Sequence, residues 1–259
     1  MRSLAVLVLA LCLGLAACNG EPPENGLLQK AQQAYASGLY LEAEGLYEEY
    51  LQHHPAAPER WEAWSRLLDI VQTVKGDNDK AKALLEAMIL EFGGQPRRVF
   101  AALLRMGDIH AQESQWRKAA EAWQKAEGLG EAGGPGGRCA VLLRLGRAYR
   151  SLSQYDLARD WLHGCMADVD GSCRQTCRYE LAQTWYFSGN WQEARAVLEP
   201  LVTDGDAAGE EASVAAFLLA DVYQNLGETA KARALLTSIL ASHPNPKAVE
   251  VKLDQLPKE

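Results

Sequence analysis

Small and large apolar residues recur along this chain at a helical period, and the recurrence has a long wavelength. Six segments, YLEAEGLY, DKAKALLE, WRKAAEAW, YDLARDWL, WQEARAVL and TAKARALL, align on one alanine each: Ala43, Ala81, Ala119, Ala158, Ala194 and Ala232. Their spacings are 38, 38, 39, 36 and 38 residues. Four residues after each stands a large apolar side chain: Tyr47, Leu85, Trp123, Leu162, Leu198 and Leu236. Residues four apart share one face of a helix. The small member lets a neighbouring helix approach, and the large member fills the groove beside it.

A turn and a second amphipathic helix precede each alanine. The turns carry Gly or a polar residue before an aromatic, as in Gly38-Leu39-Tyr40, Gln115-Trp116, Gln154-Tyr155 and Gly189-Asn190-Trp191, with Gly76 and Gly227 marking the other two. Glycine there accepts the left-handed conformation that closes a helix. The preceding helices hold a further small residue at a matching place: Ala31, Gly107, Gly146, Ala182 and Ala220. The second unit departs, with Leu68-Asp69 at that place and one extra residue expected in the loop before Ala81. Pro55 and Pro244 are expected to stop the second helices of the first and last units.

This pattern resembles a tetratricopeptide repeat array of six units. The resemblance implies an all-α fold, a right-handed superhelix of helix-turn-helix repeats. Units one to three are expected over residues 26–130 and units four to six over 138–244, with a cap over 245–259. Between the halves, Gly128 to Gly137 has six glycines in ten residues. It lacks the Gly-Lys-Ser/Thr ending of a phosphate loop, so it reads as a flexible connection, residues 131–137, dividing the repeats into halves.

The N-terminus has a different pattern. Arg2 is followed by an apolar run from Leu4 to Ala17, too short for a membrane span of about 20 residues but suited to a signal peptide. It ends in Leu15-Ala16-Ala17-Cys18, which resembles a bacterial lipobox, whose cysteine is acylated and becomes the mature N-terminus. The alternative is an ordinary secretory signal with an incidental cysteine. On the lipoprotein reading, residues 1–17, Cys12 among them, are removed, Cys18 carries lipid, and residues 18–25 form a tether. Asn19, rather than Asp, after the cysteine implies the outer membrane by analogy with enterobacterial lipoproteins, with the protein facing the periplasm.

Four cysteines remain: Cys139, Cys165, Cys173 and Cys177. Antiparallel helices bring them to one end of the stack, and an exported setting permits oxidation. Two disulfides are expected, either Cys139–Cys165 with Cys173–Cys177 or Cys139–Cys173 with Cys165–Cys177. Free thiols, and a zinc site joined by His163, are the competing readings; the spacing lacks paired CxxC motifs.

The chain's 259 residues suggest one or two domains, and 48% hydrophobic residues with seven Trp exclude a disordered chain. A formal charge of −8, or −9 once Arg2 is removed, argues against nucleic-acid binding. No HExxH, GxSxG, CxxCH or nucleophile–base pairing is present, so no enzyme, resident cofactor, metal or small-molecule substrate is expected.

The resemblance implies instead a concave groove lined by first helices. Helical spacing places Leu28, Gln32 and Tyr35 there from unit one, Leu104, Asp108 and Ala111 from unit three, and Leu143, Arg147 and Arg150 from unit four. Tyr179, Gln183 and Tyr186 follow from unit five, and Phe217, Asp221 and Gln224 from unit six. Arg147 and Arg150 suit a carboxylate or acidic peptide, with Tyr179, Tyr186, Phe217 and Tyr35 as apolar contacts. The competing reading is a solvated arginine pair with aromatics buried between repeats. The Lys/Asn pattern of carboxylate-clamp repeats is absent. The expected function is a membrane-anchored scaffold binding other envelope proteins, in outer-membrane protein assembly or pilus and secretin biogenesis. The alternative is a peptidoglycan-associated lipoprotein that recruits or regulates cell-wall enzymes.

Overall fold

All six repeat alanines are fully buried, and so are five of their six large partners; Trp123 is nearly so. The computed structural model of the protein describes residues 24–167, 173–203 and 210–257. Residues 1–23, which hold the expected signal peptide, Cys18 and most of the tether, lie outside them. The described residues form thirteen α-helices and no strand. They fall into two compact units, one reaching Met88 and the other beginning at Ile89.

In the first unit, α1 (Glu24–Ala36) and α2 (Tyr40–His53) form a hairpin closed by Gly38 at φ 74°. Helix α1 begins inside the segment expected to be tether. Its Leu28, Ala31 and Ala34 are buried, as are Ala43, Tyr47 and Tyr50 of α2. Helix α3 (Arg60–Asp69) then runs into one π-helical turn, Ile70–Val74, before α4 (Asn78–Glu91). The Lys75 amide donates to the Ile70 carbonyl at 3.1 Å, a bond across five residues. A π-turn takes in one more residue than an α-turn. The extra residue of the second unit is thus absorbed in the helix, not in the loop where it was expected. Leu67, Leu68, Ile70 and Val71 are all buried, so the added turn is anchored by apolar contacts. Glu44 of α2 is buried too, and Lys75 (3.0 Å) and Lys80 (2.6 Å) neutralise it.

In the second unit, α5 (Pro96–Gln112) pairs with α6 (Trp116–Glu127), and α7 (Gly137–Ser151) with α8 (Tyr155–Met166). Next come α9 (Arg174–Phe187) with α10 (Trp191–Thr203), and α11 (Glu210–Asn225) with α12 (Thr229–Ile239). The glycines of the repeat motif have a steric reason. A methyl group on Gly107 would lie 2.2 Å from the Trp123 Nε1, and one on Gly146 would lie 2.5 Å from the Leu162 Cγ.

Two of the turns are made without glycine. Ser114 and Ser153 occupy left-handed backbone at φ 58°, the role filled by Gly189 and Gly227 further on. Pro200 sits inside α10, which continues to Thr203. The glycine-rich stretch, expected to divide the repeats, lies within the second unit. It forms a short 3₁₀ turn over Gly130–Gly133. A Cβ on Gly133 would meet the Phe100 ring at 2.5 Å, so this stretch is packed against α5. Helix α13 (Pro246–Gln255) covers the last hairpin through the fully buried Val249. Asn245 caps it, its side chain accepting from the Ala248 amide at 3.1 Å.

Candidate functional site

Helical periodicity aligns one residue row on the first helix of each repeat, and in the second unit that row is crossed by ion pairs. Arg144 of α7 binds Asp108 of α5, its Nε 2.7 Å from Oδ1. Arg147 donates from Nε to Oε1 of Glu180 on α9 at 2.6 Å, and Arg150 donates from Nη1 to Oε2 at 2.6 Å. Arg150 also reaches the Glu180 carbonyl at 3.2 Å. Lys252 of α13 pairs with Asp221 of α11. Each contact joins the first helix of one repeat to the next repeat or the cap.

Glu180 is 5% exposed, so its charge needs partners, and the two arginines supply them. The carboxylate that Arg147 and Arg150 engage is therefore the chain's own. Arg150 is held on both sides, with its guanidinium 5.8 Å from the Phe187 ring. The side chain of Arg147 is 47% exposed against 17% for Arg150, and it alone of the pair keeps much surface.

The aromatics divide differently. The Tyr179 hydroxyl accepts from Gln183 Nε2 at 3.0 Å, and burial pushes its pKa up. Tyr186 packs edge-on against Phe187 and Trp191, with ring centroids 5.5 and 5.1 Å away. Burial, with the nearby Asp221 carboxylate, raises its pKa as well. Phe217 lies against His243, centroids 5.0 Å apart. Phe187, absent from the sequence-based set, is 58% exposed and is the most open aromatic of this row. Tyr35 belongs to the first unit, where it meets Tyr40 at 5.5 Å and the Arg66 guanidinium at 4.8 Å. The structure thus joins Arg147, Arg150 and Glu180 as one cluster and sets Tyr186 with Phe187.

Sequence reasoning placed the arginines and missed their partner. A signal was present: Glu180 stands two residues before the small residue of its repeat, where Arg105 and Arg144 stand in theirs. A sign reversal at an aligned position marks a charge that a neighbouring repeat can satisfy. Beside Tyr179 is a cavity of about 590 Å³, lined also by Gln175, Thr176, Leu201 and Val214.

The cysteines form a second cluster. Cys139 lies in the first turn of α7, Cys165 late in α8, Cys173 just before α9, and Cys177 in its first turn. Their four sulfurs all lie within 4.8 Å of one another. Cys139 faces Cys173, and Cys165 faces Cys177, with Cα–Cα separations of 6.4 and 6.1 Å. Leu142, Leu143, Trp161 and Met166 surround them. His163 is exposed and is not part of the group.

Helical hairpins that each bury one alanine at the same place give this chain the architecture of a tetratricopeptide repeat array. The model of that repeat matches residues 175–200 and 214–246, the α9–α10 region and most of α11–α12 with the turn after it. The structure is similar to a tetratricopeptide repeat protein from Parabacteroides merdae, with a TM-score of 0.64 and 18% identity over 89% of this chain and 85% of that one. It is also similar to PilW, a widely conserved type IV pilus biogenesis factor (TM-score 0.60, 17% identity, 88% of this chain and 98% of that one). A third similar structure is Pseudomonas aeruginosa PilF (TM-score 0.57, 12% identity, 88% and 97%). At these identities the likeness is one of fold. No curated protein matches the chain in sequence.

Proposed function

We propose that this protein is a lipid-anchored scaffold that faces the periplasm and binds other envelope proteins, serving pilus or secretin biogenesis or outer-membrane protein assembly. Tetratricopeptide repeats are generally interaction scaffolds rather than catalysts, and no nucleophile–base pair is evident in the sequence. The anchor rests on the LAAC sequence ending at Cys18. The pilus assignment is supported by likeness in fold to PilW, a type IV pilus biogenesis factor matched over 98% of its length.

The observation that carries the binding mode is the contrast between paired charges and open aromatics on the first-helix row. Arg150 and Glu180 satisfy each other, while Phe187 is 58% exposed beside Tyr186. Such a surface suits a segment bearing apolar side chains better than an acidic peptide.

The test is site-specific photocrosslinking in cells, with the reactive group placed at Phe187 or, as a control, at Lys118 on α6. One membrane protein captured from Phe187, not from Lys118, and released by Tyr186→Ala supports the reading. Equal capture from both positions overturns it. Cys18→Ser should release the chain from the membrane fraction. Sedimentation with sacculi in place of a membrane-protein adduct would move the function to the cell wall.

A further inference from the structure

We infer that the four cysteines form a covalent staple across the junction of repeats four and five, pairing Cys139 with Cys173 and Cys165 with Cys177. The inference rests on the export reading above for its oxidising surroundings.

Geometry and solvation both favour sulfur–sulfur bonds here. The Cα separations of 6.4 and 6.1 Å fall in the range that disulfides span. Cys139, Cys165 and Cys177 are almost fully buried, at 2%, 1% and 0% exposure, within an apolar shell. A zinc ion held by four thiolates would leave two negative charges in that shell, where donor groups are needed to offset them. Cys165 Sγ lies 3.6 Å from the Cys139 carbonyl and 3.5 Å from Cys139 Sγ. A carbonyl is an acceptor, so it disfavours a thiolate. Two disulfides bury the same sulfurs without charge.

Cys173 is the least buried of the four, which makes it the entry point. Its thiolate attacks the disulfide of a thiol oxidoreductase, giving a mixed disulfide and releasing one donor sulfur as thiol. The Cys139 thiolate then displaces the second donor sulfur. Two protons leave the cysteines, and two electrons reduce the donor disulfide to a dithiol. Cys165 and Cys177 close by the same exchange.

One bond runs from repeat four to the residue before α9 and the other to α9 itself, the helix that carries Glu180. The junction already bridged by Arg147 and Arg150 thereby becomes covalent at its cysteine end. The alternative pairing, Cys139–Cys165 with Cys173–Cys177, would tie each repeat only to itself or its own entry segment.

Peptide mapping separates these arrangements. The full chain is extracted from membranes, alkylated without reduction, then cut with trypsin and a protease that cleaves before Asp. Cleavage at Arg138, Arg144, Arg159, Asp168, Asp170, Arg174 and Arg178 isolates each cysteine on its own peptide. The staple joins residues 139–144 to 170–174 and residues 160–167 to 175–178. Peptides 139–144 joined to 160–167 would overturn it. So would stoichiometric zinc that protects all four thiols from alkylation until a chelator is added. A parallel sample is reduced and reoxidised with glutathione disulfide. If it shows the inferred pairs while membrane-extracted chain has free thiols, the pairing stands and the export reading falls. A Cys139→Ser/Cys173→Ser variant should lose the first linked pair, keep the second and melt lower by roughly 10 °C.

Discussion

Gly107 and Trp123 are matched by volume: a single methyl group on the glycine would lie 2.2 Å from the indole Nε1. The indole is further fixed by its donation to the Leu104 carbonyl at 3.2 Å. Gly107→Ala should destabilise the protein by about 3 kcal/mol through overpacking, although alanine is the better helix former. Gly146→Ala should cost less, about 1–2 kcal/mol, because the buried Leu162 that must shift is smaller than the indole and holds no hydrogen bond. Repeats five and six already combine alanine and leucine at these places, as Ala182 with Leu198 and Ala220 with Leu236. Urea midpoints measure the difference, and Gly107→Ala/Trp123→Leu should recover most of the loss. Equal effects at both glycines would refute the volume argument.

The Glu180 cluster predicts an asymmetric response. Glu180→Ala leaves two guanidinium groups against a buried site and should lower stability by about 3 kcal/mol. Arg147→Ala, removing a half-exposed partner, should lower it by less than about 1 kcal/mol. Arg150→Ala should fall between them. Double-mutant cycles between Glu180 and each arginine give the coupling directly, and a larger coupling to Arg147 would contradict the burial order.

Left-handed backbone at Ser114 and Ser153 is strained for a residue with a Cβ. Replacing either serine by glycine should raise stability by about 0.5–1 kcal/mol, the relief exceeding the entropy that glycine loses. The same change at Ser65, inside α3, should do the reverse. Thermal melts of the three variants decide the matter.

Acid should weaken the first unit through Glu44. Burial raises its pKa, but the hydrogen bonds from Lys80 and Lys75 outweigh that, and the net shift is downward from 4.5. A carboxyl whose folded pKa lies below its unfolded one stabilises the fold above the unfolded value. That contribution is lost as pH falls below 4.5 and through the lower folded pKa. Glu44→Gln should therefore destabilise the protein at pH 7 and show a shallower loss on acidification, read from urea midpoints between pH 7 and 3.

Much of the architecture is legible because it repeats. An alanine with a large partner four residues on says little in one helix, but six aligned copies determine which face is buried. Isolated events are less visible. The π-turn at Ile70–Val74 shows in sequence only as one surplus residue, and nothing local says whether helix or loop absorbs it. Ser114 and Ser153 hide because hairpin packing overrides their conformational preference. At the candidate site, periodicity places Arg147, Arg150, Tyr179 and Tyr186 on one row but is blind to pairing across repeats. Glu180 decides whether those arginines are available, and it lies one repeat away in sequence. Phe187 follows Gln183 by four residues and adjoins Tyr186, so it sits at the edge of the same face, where strict spacing does not single it out.

The π-turn also bears on how such an array can change over evolutionary time. A residue inserted into an α-helix ordinarily rotates everything after it by about 100° and would expose a buried face. Here the surplus is confined to five residues, and Ala81 and Leu85 still lie fully buried. Neutral drift in helix length is therefore open to this fold wherever a bulge can be wedged between apolar neighbours. What selection must preserve is the phase of each alanine rather than the number of residues between them.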